Sequence, residues 1–288
     1  MSLKSILAVL HGNAEARRSL DFAALLASTY AAHLEVLHVG SGGPVDLLEF
    51  LTEFPPDYRQ EAHAILVARR PDREELAWAL FEEICRRHGF VHSDHAQGAA
   101  SVTAHWHPIL GDAASAIAER GRVFDLIVLD PRGGSAGGPL DRSLHGALFG
   151  TARPVLLANT DAPSGLFRRP LVAWNRGMLS ARALGAALPL LERAQEAVIV
   201  YAETQAKPGP QPEDAADYLG RHGVRAQIMR LAVGRHSIGE TLLRTARDIN
   251  ADLLVTGAAY HSRVRDLLFG GVTGHVLKHA AIPVLMAH

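Results

Sequence analysis

One cysteine, almost no net charge and no long apolar run set the first limits on this chain of 288 residues. With Cys85 alone, an intrachain disulfide and a thiolate metal site are excluded. A formal net charge of -1 supplies no global field for nucleic acid or an anionic membrane, and neither is an expected partner. No stretch approaches the roughly 20 apolar residues of a membrane-spanning helix. The apolar run at 6–10 is too short for a signal-peptide core and reads as a strand, so a cytoplasmic protein is expected. Also missing are a Walker loop, a nucleophile elbow and a Ser-His-Asp pattern, and no residue is assigned a catalytic role. What the chain does have is an apolar content of 48%, ample for two cores in a sequence of two-domain length.

Those two cores are written twice. Ile6-Leu7-Ala8-Val9-Leu10-His11-Gly12 is answered by Leu171-Val172-Ala173-Trp174-Asn175-Arg176-Gly177. With His11 laid on Asn175, Arg18 meets Arg182, Leu20 meets Leu184 and Val36 meets Val200 without a gap. Asp125-Leu126-Ile127-Val128-Leu129 is answered by Asp252-Leu253-Leu254-Val255-Thr256, and Pro154-Val155-Leu156 by Pro283-Val284-Leu285. A half-length period is too long for a solenoid and marks two tandem domains, 1–158 and 170–288, joined by a linker at 159–169.

Both halves alternate short Val/Ile/Leu runs with amphipathic stretches, the pattern of βαβ units around a buried parallel sheet. Strands are predicted near 4–10, 34–39, 101–107, 125–129 and 154–158, and again near 170–174, 197–202, 224–231, 252–256 and 283–287. Asn13 and Ser180 are candidate N-caps of the first helix in each copy, and Asp112 and Gly121 bracket another. The copies differ most at 41–98, a helical insertion in the first half. Within it Pro71 is expected to break the helical pattern, and Asp72 with Glu75 makes a capping box for a helix at 72–88. Leu76, Leu80 and Ile84, beside Trp78, Phe81 and Cys85, give that helix a broad apolar face. Such a face either covers the sheet or docks another chain.

The end of the second copy carries a resemblance. Asp252-Leu253-Leu254-Val255-Thr256-Gly257, then Tyr260-His261-Ser262-Arg263, Phe269-Gly270-Gly271-Val272-Thr273 and Pro283-Val284-Leu285 resemble the universal stress protein family in its tandem form. The likeness covers nearly the whole chain apart from the insertion. It implies an α/β fold of two Rossmann-like, adenine-nucleotide-hydrolase-like domains, each an open five-stranded parallel sheet of order 3-2-1-4-5 flanked by helices. It also implies a non-catalytic stress-response module, with unidentified protein partners, that binds ATP or another adenine nucleotide. One branch of the family holds ATP through a glycine, two residues, a glycine, nine residues, then glycine and serine or threonine. Gly257 and Gly270 keep their places in that spacing, Tyr260 replaces the second glycine, and Gly271 stands for the hydroxyl residue, with Thr273 nearby. The resemblance thus marks Asn175, Val200, Gly257, Ser262, Arg263, Gly270, Gly271, Val272 and Thr273 as the nucleotide set, with Asn175 where the family usually has aspartate. Physically, a strand-to-helix loop offers unpaired N–H groups to an anion, and glycine lets phosphate approach the backbone.

In the first copy, pairing Pro154 with Pro283 sets Asp130 against Gly257 and Asp141 against Gly270. Two carboxylates repel phosphate, so this copy is expected to be nucleotide-dead. Of the 16 histidines, His105 and His107 share a strand face and His275 and His279 a helix face, but neither pair has a third ligand, and no metal is predicted. Two other functions stay open: an enzyme using an adenine nucleotide on the same scaffold, and a ligand-free interaction module acting through 41–98. Family dimers commonly pair through their fifth strands, so 154–158 and 283–287 are expected to pair antiparallel in an intramolecular pseudo-dimer.

Overall fold

A computed structural model of the chain describes residues 2–11, 17–40, 70–93, 102–131, 139–163, 165, 167–203, 208–259 and 271–288. The chain divides into two compact units, Leu3–Arg153 and Pro154–His288.

In the first unit the chain runs β1 (Ser5–His11), α1 (Arg17–Tyr30), β2 (His33–Gly40), α2 (Arg70–His88) and β3 (Val91–His92). It continues through β4 (Thr103–Leu110), α3 (Ala113–Arg120), β5 (Leu126–Leu129) and α4 (Pro139–Gly150). The strands lie in the order β3-β4-β2-β1-β5, and the pairs β3·β4, β4·β2, β2·β1 and β1·β5 are all parallel. Residues 6–10 of β1 are fully buried, as a central parallel strand covered on both faces requires. Asp112 caps α3 through the Ser115 N–H at 2.8 Å, and Gly121 ends it, both as the sequence indicates.

The insertion departs from the sequence reading in three ways. Helix α2 begins at Arg70, so Pro71 stands in its first turn, where a proline removes an N–H that the helix does not use. Asp72 therefore falls inside the helix and not at its cap. The apolar face also splits. Ala77, Phe81, Ile84 and Cys85 are buried, one stripe at helical spacing, while Leu76 is 71% exposed. Burying Phe81 fully is worth about 2–3 kcal/mol and pins the stripe to the sheet. Strand β3 was not predicted. The helix predicted upstream of Pro71 and the cap Asn13 lie outside the described residues.

The second unit holds β6 (Val155–Leu157), β7 (Pro170–Ala173), α5 (Met178–Leu191), β8 (Ala197–Tyr201), α6 (Pro212–Arg221) and β9 (Ala226–Arg230). Then come α7 (Ile238–Asp248), β10 (Leu253–Gly257), α8 (Gly271–His279) and β11 (Val284–Ala287). Its strands lie in the order β6-β11-β10-β7-β8-β9, so the second copy's own five follow 3-2-1-4-5, all parallel. Strand β6 pairs antiparallel with β11, Val284 opposite Leu157 and Met286 opposite Val155. The repeat survives at atomic detail. Asp125 accepts hydrogen bonds from the Lys4 and Ser5 N–H groups, and Asp252 does the same for Arg168 and Arg169. One carboxylate per copy thus ties the entry of the fourth strand to the start of the first.

Candidate functional site

In a doubly wound sheet, ligands lie beyond the carboxyl ends of the strands, at the point where the winding reverses. In the second unit that point falls between β7 and β10. At the end of β7 the Trp174 N–H still bonds to the Val200 carbonyl at 2.8 Å, and the indole, 5% exposed, donates to the Pro210 carbonyl at 3.1 Å. Asn175 is exposed, and its Oδ1 accepts from the Gly177 N–H at 3.0 Å. Arg176 then takes a left-handed φ of 66°, which turns the chain into α5. Gly177, not Ser180, is the N-cap of that helix. Ser180 sits in its first turn, and its hydroxyl bonds back to the Gly177 carbonyl at 2.8 Å. The segment at 208–210 crosses this turn so closely that a Cβ on Gly209 would stand 2.2 Å from the Arg176 carbonyl oxygen. Val200 is buried in β8.

At the end of β10, Gly257 is in contact with α5. A Cβ there would meet the Leu179 carbonyl carbon at 2.7 Å, its Cβ at 2.7 Å and its oxygen at 2.9 Å. Glycine is needed at 257 for close packing of helix on strand, independent of any ligand. The chain then passes Ala258, whose N–H bonds to the Ala287 carbonyl, and Ala259, whose N–H donates to Thr273 Oγ1 at 3.3 Å. Thr273 is 4% exposed, so this hydrogen bond from the end of β10 to α8 is buried. Gly271 opens α8 and is exposed, with nothing among the described residues within 4 Å of where its Cβ would be, and Val272 follows half-buried. The strand end at 257–259 and the first turn of α8 are thereby joined. Ser262, Arg263, Gly270 and Tyr260 lie outside the described residues.

A cleft of about 440 Å³ opens at the carboxyl ends of β8 and β9, lined by Glu203, Arg230, Leu231, Ala232, Val233 and Gly234. An Arg230–Glu203 ion pair at 2.6 Å forms one wall. None of these residues was singled out from the sequence. The readable signal was a charged residue closing each of two adjacent strands. The cleft lies to one side of the β7–β10 reversal, and the two are distinct places on the same sheet edge.

The corresponding point of the first unit is different. Asp130, just past β5, is 5% exposed and stands 4.0 Å from Arg18 on α1, so a buried carboxylate occupies the place of Gly257. Asp141 lies in α4. His105 and His107 do share a face of β4, their rings 5.9 Å apart, and beside them Glu35 is held by Arg120 through two hydrogen bonds of 2.6 Å. That guanidinium is held above its ordinary pKa, chiefly by its hydrogen bonds to Glu35. His275 and His279 lie on α8 with ring centroids 4.5 Å apart, tilted by 43°. Among the described residues no three His, Cys, Asp or Glu side chains converge as a metal site. Nor, among them, is any helix long and apolar enough to cross a membrane.

Residues 167–288 match the Universal stress protein family. No curated protein matches the chain. Among solved structures, a universal stress protein from Archaeoglobus fulgidus is 17% identical, covers 98% of this chain and 97% of its own, and superposes with a TM-score of 0.65. A Pseudomonas aeruginosa protein described as a universal stress protein is 19% identical over 99% of this chain and 93% of its own, with a TM-score of 0.55. A universal stress protein in complex with cAMP is 21% identical and covers 43% of this chain and 98% of its own, with a TM-score of 0.34. The likeness over the full length establishes the fold of both copies: α/β, Rossmann-like and mostly parallel.

Proposed function

We propose that this protein is a non-catalytic, cytoplasmic binding module of the stress response. Its second unit takes ATP or another adenine nucleotide at the carboxyl ends of β7 and β10, and its first unit takes none. The observation that carries this reading is the asymmetry between the copies. The half that matches the family keeps small residues at the strand-to-helix junction, Gly257 and an open Gly271 at the head of α8. The other half puts the buried Asp130 carboxylate at the equivalent point, where it would repel phosphate. Backbone N–H groups at the start of α8 would meet the phosphates, and Asn175 and Val200 would bound the nucleoside. Calorimetric titration of the full chain with ATP, with mass spectrometry of gently purified protein for retained nucleotide, tests the reading. Binding that Gly270→Asp abolishes is the expected result. The proposal fails if neither method detects nucleotide, and the site lies elsewhere if the variant binds as before.

A second reading has its own observation. Leu76 on α2 and Val91 on β3 are 71% and 46% exposed, and Trp78 is partly so, which favours an interaction role for the insertion. The β6–β11 pair also bears on assembly. It seats the last strand of the first sequence copy in the sheet of the second, and we take it as the counterpart of a family homodimer contact within one chain.

A further inference from the structure

Helix α2 rests on a histidine. His38, on β2, is 2% exposed, and its ring stacks on Trp106 of β4 at 5.0 Å, 18° from parallel. Trp78 and Phe81 of α2 close on the same tryptophan at 5.5 and 5.4 Å. Nε2 of His38 is buried with no hydrogen-bond partner among the described residues. Burial disfavours the charged imidazole there, and among the described residues no counter-ion touches it. Its surroundings supply little relief. In the sheet, β1 sets Leu10 beside it and β4 sets Pro108, while α2 brings one carboxylate near enough to be felt, Glu74. His92 of β3 lies beyond Trp78 and Phe81. The cluster of Glu35, His105, His107 and Arg120 belongs to the opposite face, because residues on a strand alternate sides.

The other end of α2 is held to α1. His88 Nδ1 meets Ser28 Oγ at 2.8 Å, Arg87 pairs with Asp21 at 3.2 Å, and Arg17 pairs with Glu83 at 3.0 Å. These ion pairs are exposed and individually weak. Histidine is the side chain whose ordinary pKa falls between pH 5 and 8.

We infer that α2 is an acid-released cover: proton uptake by His38, assisted by His88, detaches the helix from the β2–β4 face while the rest of the fold stays closed. The sign follows from burial, which holds both imidazoles below their ordinary pKa, with Arg87 adding to the effect at His88. Docking of α2 is then fully supported above about pH 6.5 and weakens as the pH falls toward the folded values, by up to about tenfold in the open population per pH unit for each histidine.

Cys85, the sole cysteine, reports the opening because it lies on the inner face of α2 and is 4% exposed. The experiment is labelling of the full chain with 4,4′-dithiodipyridine between pH 7.5 and 5.5, with rates divided by those of the urea-unfolded chain. Hydrogen exchange of the helix and of β1 and β5 is followed in parallel. Relative labelling should rise at least tenfold on acidification, with protection lost in α2 and kept in β1 and β5. Two non-titrating variants, His38→Phe and His38→Gln, should each flatten most of that rise. A pH-independent rate overturns the proposal. So does loss of protection in β1 and β5 together with α2, which is acid unfolding of the unit, or an unchanged rise in both variants.

Discussion

Gly257→Ala separates two roles that one glycine can play in a nucleotide-binding fold. The residue sits in a strand without a left-handed φ, so alanine is conformationally acceptable, and on chain entropy alone the change would stabilise by about 0.4–1 kcal/mol. Sterics decide otherwise. The new methyl would lie 2.7 and 2.9 Å from backbone atoms of Leu179 and 2.7 Å from its Cβ. No rotamer change can relieve those contacts, so α5 must move off β10 as a body. Overpacking of this kind costs about 1–3 kcal/mol, and the rigidity of the obstacle puts the value in the upper half of that range. A domain of this size should then lose roughly 5–10 °C in Tm, measured by calorimetry without nucleotide. Leu179→Ala should not rescue it, since the colliding atoms remain. An unchanged Tm together with lost ATP binding would refute the reasoning and assign the glycine to close approach of the ligand.

Arg120→Ala strands the buried Glu35 carboxylate, and because the Arg120 side chain is 44% exposed the cost should be about 2 kcal/mol and not the larger figure of a fully buried pair. Replacing both residues by Leu should recover most of that loss in urea melts; an equal loss in the double variant would show that packing, and not charge, was measured. Sedimentation of the full chain should give a monomer if the β6–β11 pair substitutes for a homodimer contact, and a stable dimer through the same strands would contradict that.

Legibility followed the kind of force at work. Runs such as 6–10 and 171–172 declared buried parallel strands because both faces must be apolar, and the Asp125/Asp252 repeat foretold two equivalent strand entries. Strand β3 was invisible: two exposed residues carry no periodicity, and only the edge of β4 makes them a strand. Asp72 misled because a cap and a first-turn residue look alike in sequence, and α2 starts two residues before it, with Pro71 harmless in the first turn. Leu76 misled in another way, as apolarity at helical spacing did not say where the stripe ended. In the candidate site the glycines could be read, but the reason for Gly257 lies 78 residues away in Leu179, and no local pattern encodes it. The ion pair of Glu203 and Arg230 was hidden likewise, because it forms between neighbouring strands.

Chain order and structural membership part company at Pro154. Residues 155–157 end the first sequence copy, yet their backbone finishes the sheet to which β11 belongs. The family signature starts only at 167. The segment that a family comparison would cut out is therefore not the segment that folds: excised, it would carry β11 as a bare edge, with three apolar residues, Val284, Leu285 and Met286, offered to any passing strand. A duplication of this kind makes the later copy a debtor of the earlier one, whose last strand shields its edge and is lost if the two are cut apart at 167.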